Sequence, residues 1–154
     1  MWQRKQTVFL VMVSACMILC VFFPIWVGEQ SDIRMVLFPL HYSVIEGDAR
    51  ITTYYPFAVT ALLAIASATL AIIELRRFDN RLLQIKLGTL NSLFMAGTLV
   101  AMVVFTKQLM KEHLLPGEYG LAFWLPAVAM VCNLIANRFI RKDEKLVRDS
   151  ERIR

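Results

Sequence analysis

Charge is missing from four long stretches of this 154-residue chain. Gln6 to Gly28, Ile51 to Ile73, Leu87 to Thr106 and Tyr119 to Asn137 contain no Asp, Glu, Lys or Arg, and each runs 19 to 23 residues. A helix rises about 1.5 Å per residue, so roughly 20 apolar residues cross a hydrocarbon core about 30 Å thick. With 58% hydrophobic and 19% charged residues, the chain has too little polar surface for an ordinary soluble domain. The proportions exclude a soluble enzyme with a bulky active-site domain, a disordered protein and a nucleic-acid binder, in spite of the net charge of +5.

Basic residues give the orientation, because Lys and Arg in short loops stay on the cytoplasmic side. The N-terminus, the connection from Glu74 to Lys86 and the tail after Asn137 hold 13 of the 17 cations. Acids included, those segments carry +7 and the opposite ones −2. The chain therefore predicts an all-α membrane protein with four transmembrane helices, N-in and C-in. A small extracytoplasmic β-hairpin separates helices 1 and 2, and a cytoplasmic helical extension closes the chain. Residues 1–154 make one domain, with helices at about 7–27, 57–75, 87–106 and 119–138, a hairpin at about 35–55 and an amphipathic tail over 139–154.

The hairpin follows from β-branched and aromatic runs on either side of Glu46-Gly47-Asp48-Ala49, with Gly47 or Asp48 at the turn. Pro56 suits the opening of the second helix, and Pro126 should kink the fourth. Trp2, Trp26, Tyr54, Tyr55, Tyr119 and Trp124 fall near span ends and read as interfacial anchors. Val13-Ser14-Ala15-Cys16 has the look of a lipoprotein cleavage box, but apolar sequence continues to Val27, as a span requires.

Ala61, Ala64, Ala68 and Ala71 form a small-residue stripe on the second helix, and Gly97 and Ala101 offer the third helix for close approach. Asn91 and Asn133 fall at matching depth in the cytoplasmic leaflet, where an amide must face protein; a hydrogen bond between them is the expected structural link.

Catalytic patterns are lacking: there is no G-x-S-x-G, H-E-x-x-H or P-loop sequence. Cys16, Cys20 and Cys132 lie within helices rather than in aqueous loops, which argues for packing rather than thiol exchange. His41 and His113 lack metal-ligand spacing. No catalytic, cofactor or metal site is expected, and the chain is not expected to be an enzyme.

The tail is the most patterned polar segment, with apolar residues at 139/140, 146/147 and 153 and a favourably oriented Glu144 to Arg148 pair. Gln3-Arg4-Lys5-Gln6-Thr7-Val8-Phe9-Leu10, Asn80-Arg81-Leu82-Leu83-Gln84-Ile85-Lys86-Leu87 and the run from Ala136 to Arg148 resemble a bacterial membrane protein family catalogued as domain of unknown function 4293. The likeness extends over the whole chain. It implies a four-helix fold in the bacterial cytoplasmic (inner) membrane and transfers no catalytic residue. All three stretches lie on the cytoplasmic side of the expected topology.

The expected function is accordingly a non-catalytic helical bundle. Its basic cytoplasmic face, built from Arg4, Arg81, Gln84, Arg141, Lys142 and Arg148, would dock anionic lipid headgroups, a membrane complex or a second copy of the chain. The alternative is a small-molecule or lipid carrier that uses the polar band around Asn91 and Asn133.

Overall fold

A computed structural model describes residues 5–30, 33–77, 80–114 and 117–152, and the side chains of all of these except 5 and 147–152. Its elements run α1 (Lys5–Phe22), β1 (Trp26–Gln30), β2 (Ile33–Leu37), β3 (Tyr42–Glu46), β4 (Ala49–Thr53), α2 (Ala58–Arg76), α3 (Arg81–His113), β5 (Glu118–Tyr119) and α4 (Leu121–Arg152). The four helices form a ring in which each packs on the two beside it, α1 on α2 and α4, and α3 on α2 and α4.

The all-α expectation is wrong. An antiparallel five-stranded sheet in the order β4-β3-β2-β1-β5 caps one end of the bundle. The expected hairpin is its β3–β4 part, where Glu46 pairs with Ala49 across a two-residue turn. Gly47 takes the left-handed φ of 55° that such a tight turn demands. Of the rest, β2 falls in the expected outer connection, whereas Trp26 and Val27 of β1 and Tyr119 of β5 come from residues assigned to helices. Pro24 has no N–H to donate and disfavours helical geometry at Phe23, so α1 ends at Phe22 instead of Val27, and Trp26 to Gln30 become β1.

The expected count of four spans is corrected as well. Among the described residues, three helices are long and apolar enough to cross a membrane: α2, α3 and the Leu121–Leu146 part of α4. The apolar helix at Gln6–Phe22 is shorter, because β1 has taken its outer end.

Helix limits elsewhere reflect local chemistry. α2 begins and ends within one residue of expectation. α3 extends six residues earlier than expected, to Arg81, because the Asn80 side chain accepts from Leu83 N at 3.0 Å and caps the first turn. It then continues past Thr106 to His113, and Leu114 closes it in the left-handed region (φ 51°). α4 continues through Pro126 and on to Arg152, so tail and fourth helix are one element.

Two apolar clusters fill the interior. At the sheet end, Ile25, Trp26, Met35, Leu37, Tyr42 and Phe57 pack against Cys20, Met102, Leu109 and Ala122 of the helices. Trp26, expected at the interface, is fully buried there. Gly117 and Gly28 make room for its indole, since a Cβ at either position would overlap the ring. Tyr54, Tyr55, Tyr119 and Trp124 are exposed, as interfacial rings should be, and Trp2 lies outside the described residues. Within the bundle, Ala64, Ala68 and Ala71 meet Val13 and Met17 of α1, Met95 of α3 and Ala129 and Cys132 of α4.

The alanine stripe thus packs as expected, but Gly97 does not mark the closest approach. A Cβ there would meet only Leu63 Cδ1 at 3.7 Å. Gly88 is the tight position on α3, pressed against the Asn137 carboxamide of α4.

Candidate functional site

The end of the bundle opposite the sheet gathers most of the residues that the sequence points to. It is formed by the first turn of α1, the last turn of α2, the first turn of α3 and the C-terminal part of α4. Arg76, Arg77, Lys86, Arg138, Arg141, Lys142 and Lys145 are exposed there, while Asp143 and Glu144 are half-buried and Glu74 is buried. Among the described residues, every exposed charge at this end is therefore positive. At the sheet end, exposed Glu29, Glu46, Asp48, Glu112 and Glu118 mix with exposed Arg34, Arg50, Lys107 and Lys111.

The six residues expected to make a docking surface separate into four groups. Arg141 and Lys142 are exposed on α4. Arg81 is half-buried, and its Nη1 donates to the Asp143 backbone carbonyl at 2.8 Å, which ties the start of α3 to the α4 extension. Gln84 is no surface residue: it is 2% exposed, and its Nε2 donates to the Glu74 carbonyl at 2.9 Å. Arg4 and the side chain of Arg148 lie outside the described residues.

Asn91 and Asn133 are both fully buried, yet they do not bond to each other. Ser67 Oγ donates to Asn91 Oδ1 at 2.6 Å and joins α2 to α3. Asn133 Nδ2 donates to Gly88 O at 2.7 Å and to Ser92 Oγ at 2.9 Å, joining α4 to α3. Each asparagine is thus an interhelical tie, of the kind worth about 1 kcal/mol in a membrane.

Sequence reasoning missed a further polar set at this end. Gln6, Glu74 and Asn137 are buried along with Gln84. Glu74 stands one residue past a charge-free window and just before Arg76-Arg77, so it passes for a span-end charge. A usable signal was present in the spacing. The stripe Ala61, Ala64, Ala68, Ala71 continues at the same interval to position 74, which places the carboxylate on the packed face.

The sheet end has an aromatic and histidine group instead. The Tyr42 hydroxyl and His113 Nε2 are 3.1 Å apart, and His41 stacks on Phe38 and leans against Tyr54. Both His41 ring nitrogens are buried without a partner; burial, then the nearby Arg50 charge, pushes its pKa down. Burial, then Glu112, pushes the Tyr42 phenol up. No group of three His, Cys, Asp or Glu residues suited to a metal occurs among the described residues. Cys16, Cys20 and Cys132 are free thiols, and Cys20 Sγ lies 3.6 Å from the Ala122 carbonyl, where it packs α1 on α4.

Comparison with curated proteins finds no match. The model of one family, described as Domain of unknown function (DUF4293), matches residues 2–153, which is nearly the whole chain, and the protein belongs to that family.

Proposed function

We propose that this is a non-catalytic integral protein of the bacterial cytoplasmic membrane whose sheetless, basic end docks anionic lipid headgroups. The observation that carries the reading is the ring of exposed Arg76, Arg77, Lys86, Arg138, Arg141, Lys142 and Lys145 with no exposed acid among them in the described residues. Three helices long and apolar enough to span a bilayer support a membrane location, in which this ring would sit at headgroup depth. Positive charge is retained inside, so the basic end is cytoplasmic and the sheet faces out. The anionic cytoplasmic leaflet then attracts the ring with about 1 kcal/mol per cation near the surface. A membrane complex with an acidic face, or a second copy of the chain, is a competing occupant. The carrier reading draws less support, because Asn91 and Asn133 already serve as ties between helices.

The test is enrichment of an anionic lipid around the reconstituted protein, read by the motionally restricted fraction of a spin-labelled phosphatidylglycerol. Combined Arg138→Gln, Arg141→Gln and Lys142→Gln substitution should remove most of the enrichment, and added salt should weaken it in the parent. Enrichment that is unchanged in the variant rejects headgroup docking; if a copurifying protein is lost at the same time, the ring serves a complex.

A further inference from the structure

We propose that Glu74, with the carboxamide oxygens of Gln6 and Gln84, forms a binding site for a monovalent metal cation at the sheetless end of the bundle. The three residues belong to the first turn of α1, the last turn of α2 and the first turn of α3, and α2 packs against both of the other helices. Their relative exposures are 4%, 0% and 2%. Gln84 is also tied directly to the Glu74 backbone by its 2.9 Å hydrogen bond, which fixes the carboxamide so that Nε2 is spent and Oε1 is free.

The unsatisfied atoms are all of one kind. Gln6 Oε1, Glu74 Oε1, Glu74 Oε2 and Gln84 Oε1 are buried and without a hydrogen-bond partner. Four oxygen acceptors therefore share this end of the core, and no described donor serves them. Among the described residues the local cations do not help: Arg76, Arg77 and Lys86 are exposed, and Arg81 is committed to the Asp143 carbonyl. A carboxylate withdrawn from water without a counter-charge is strongly disfavoured. Its position makes matters worse, because the C-terminal turn of a helix carries partial negative charge and attracts cations.

A proton on Glu74 supplies one donor and leaves the remaining oxygens short. A metal cation satisfies carboxylate and carboxamide oxygens together and balances the charge. Hard oxygen donors favour alkali and alkaline-earth ions over transition metals, which prefer nitrogen and sulfur. One carboxylate matches a single positive charge, whereas Ca²⁺ sites draw on six to eight oxygens with several carboxylates. The proposal does not depend on headgroup docking, which uses the exposed ring and not these buried groups.

Equilibrium binding of radioactive Na⁺, and of Rb⁺ as a K⁺ probe, to the purified full chain tests the site, with N-methyl-D-glucamine chloride holding ionic strength constant. The parent should bind one of these ions saturably at one per chain. Glu74→Gln keeps the shape and removes the charge, and should weaken binding at least tenfold; Gln6→Leu should weaken it several-fold. Glu112→Gln, at an exposed position of the sheet end, should bind like the parent. The parent should also melt at higher temperature in NaCl or KCl than in N-methyl-D-glucamine chloride, a readout that serves if Glu74→Gln fails to fold. A parent that binds neither ion and melts alike in all three salts overturns the proposal and leaves a carboxyl that takes only a proton. Parent-like binding by a folded Glu74→Gln overturns it equally.

Discussion

Replacing Gly120 with alanine should break the joint between sheet and bundle, while the same change at Gly97 should be harmless or helpful. A Cβ at Gly120 would fall on the backbone carbonyl of Pro24, 2.9 Å from its carbon and closer still to its oxygen. Neither atom belongs to a side chain that can swing away, so the α4 start has to move relative to β1. That junction is held by Gly120 N to Ile25 O at 2.8 Å, Ala122 N to Pro24 O at 3.2 Å and the Trp26–Tyr119 pairing of β1 with β5. Overpacking costs about 1–3 kcal/mol and each lost hydrogen bond about 1 kcal/mol, for a total on the order of 3–5 kcal/mol. At Gly97 the nearest atom is Leu63 Cδ1 at 3.7 Å, an ordinary contact, and alanine gains up to about 1 kcal/mol of helix propensity. A chain of this size shifts its melting point by roughly 2–4 °C per kcal/mol. Gly120→Ala should therefore melt about 10 °C lower and Gly97→Ala a few degrees higher, measured in detergent by circular dichroism or by size-exclusion survival after heating. Equal melting points, or a larger loss at Gly97, would refute the packing argument.

Three further outcomes follow from the same contacts. Ser67→Ala and Asn91→Ala should couple by about 1 kcal/mol in a double-mutant cycle, since each removes the same 2.6 Å bond, whereas Asn91→Ala with Asn133→Ala should be nearly additive. His41 has a folded pKa below its unfolded value, so its neutral form adds stability that is present above about pH 6.5 and lost as pH falls further. His41→Phe keeps the stack on Phe38 and should flatten that acid loss in a melting-point series. Asn80→Ala should cost about 1 kcal/mol by uncapping α3, seen as faster amide exchange in its first turn.

How much of this was legible beforehand depends on which residues set each feature. The limits of α2 follow from Pro56 and Arg76-Arg77, both local signals. The β3–β4 hairpin follows from Gly47 and the β-branched runs around it. β1 and β5 could not be read the same way: Trp26 and Val27 continue an apolar run indistinguishable from helix, and they become strand because β2 lies antiparallel to them and the two-residue β5 adds at the edge. The candidate site divides similarly. Exposed Arg141 and Lys142 were visible as a charge pattern, but the inward turn of Gln84 and Glu74 is set by neighbouring helices, and only the extended alanine interval announced the latter. The depth of Asn91 and Asn133 within apolar spans marks them as buried amides, yet partner choice rests on side-chain reach, which spacing along one helix does not give.

The central claim is a membrane-embedded bundle with its sheet outside and its basic end inside. Cysteine accessibility in cells tests it most directly, with Asp48→Cys in the β3–β4 turn and Lys142→Cys on α4 read against the three native thiols as background. A membrane-impermeant maleimide should label Asp48→Cys in intact cells and Lys142→Cys only after the membrane is opened, with the protein remaining in the membrane fraction through alkaline washing. Labelling in the reverse order, or release of the chain by the wash, would contradict the account.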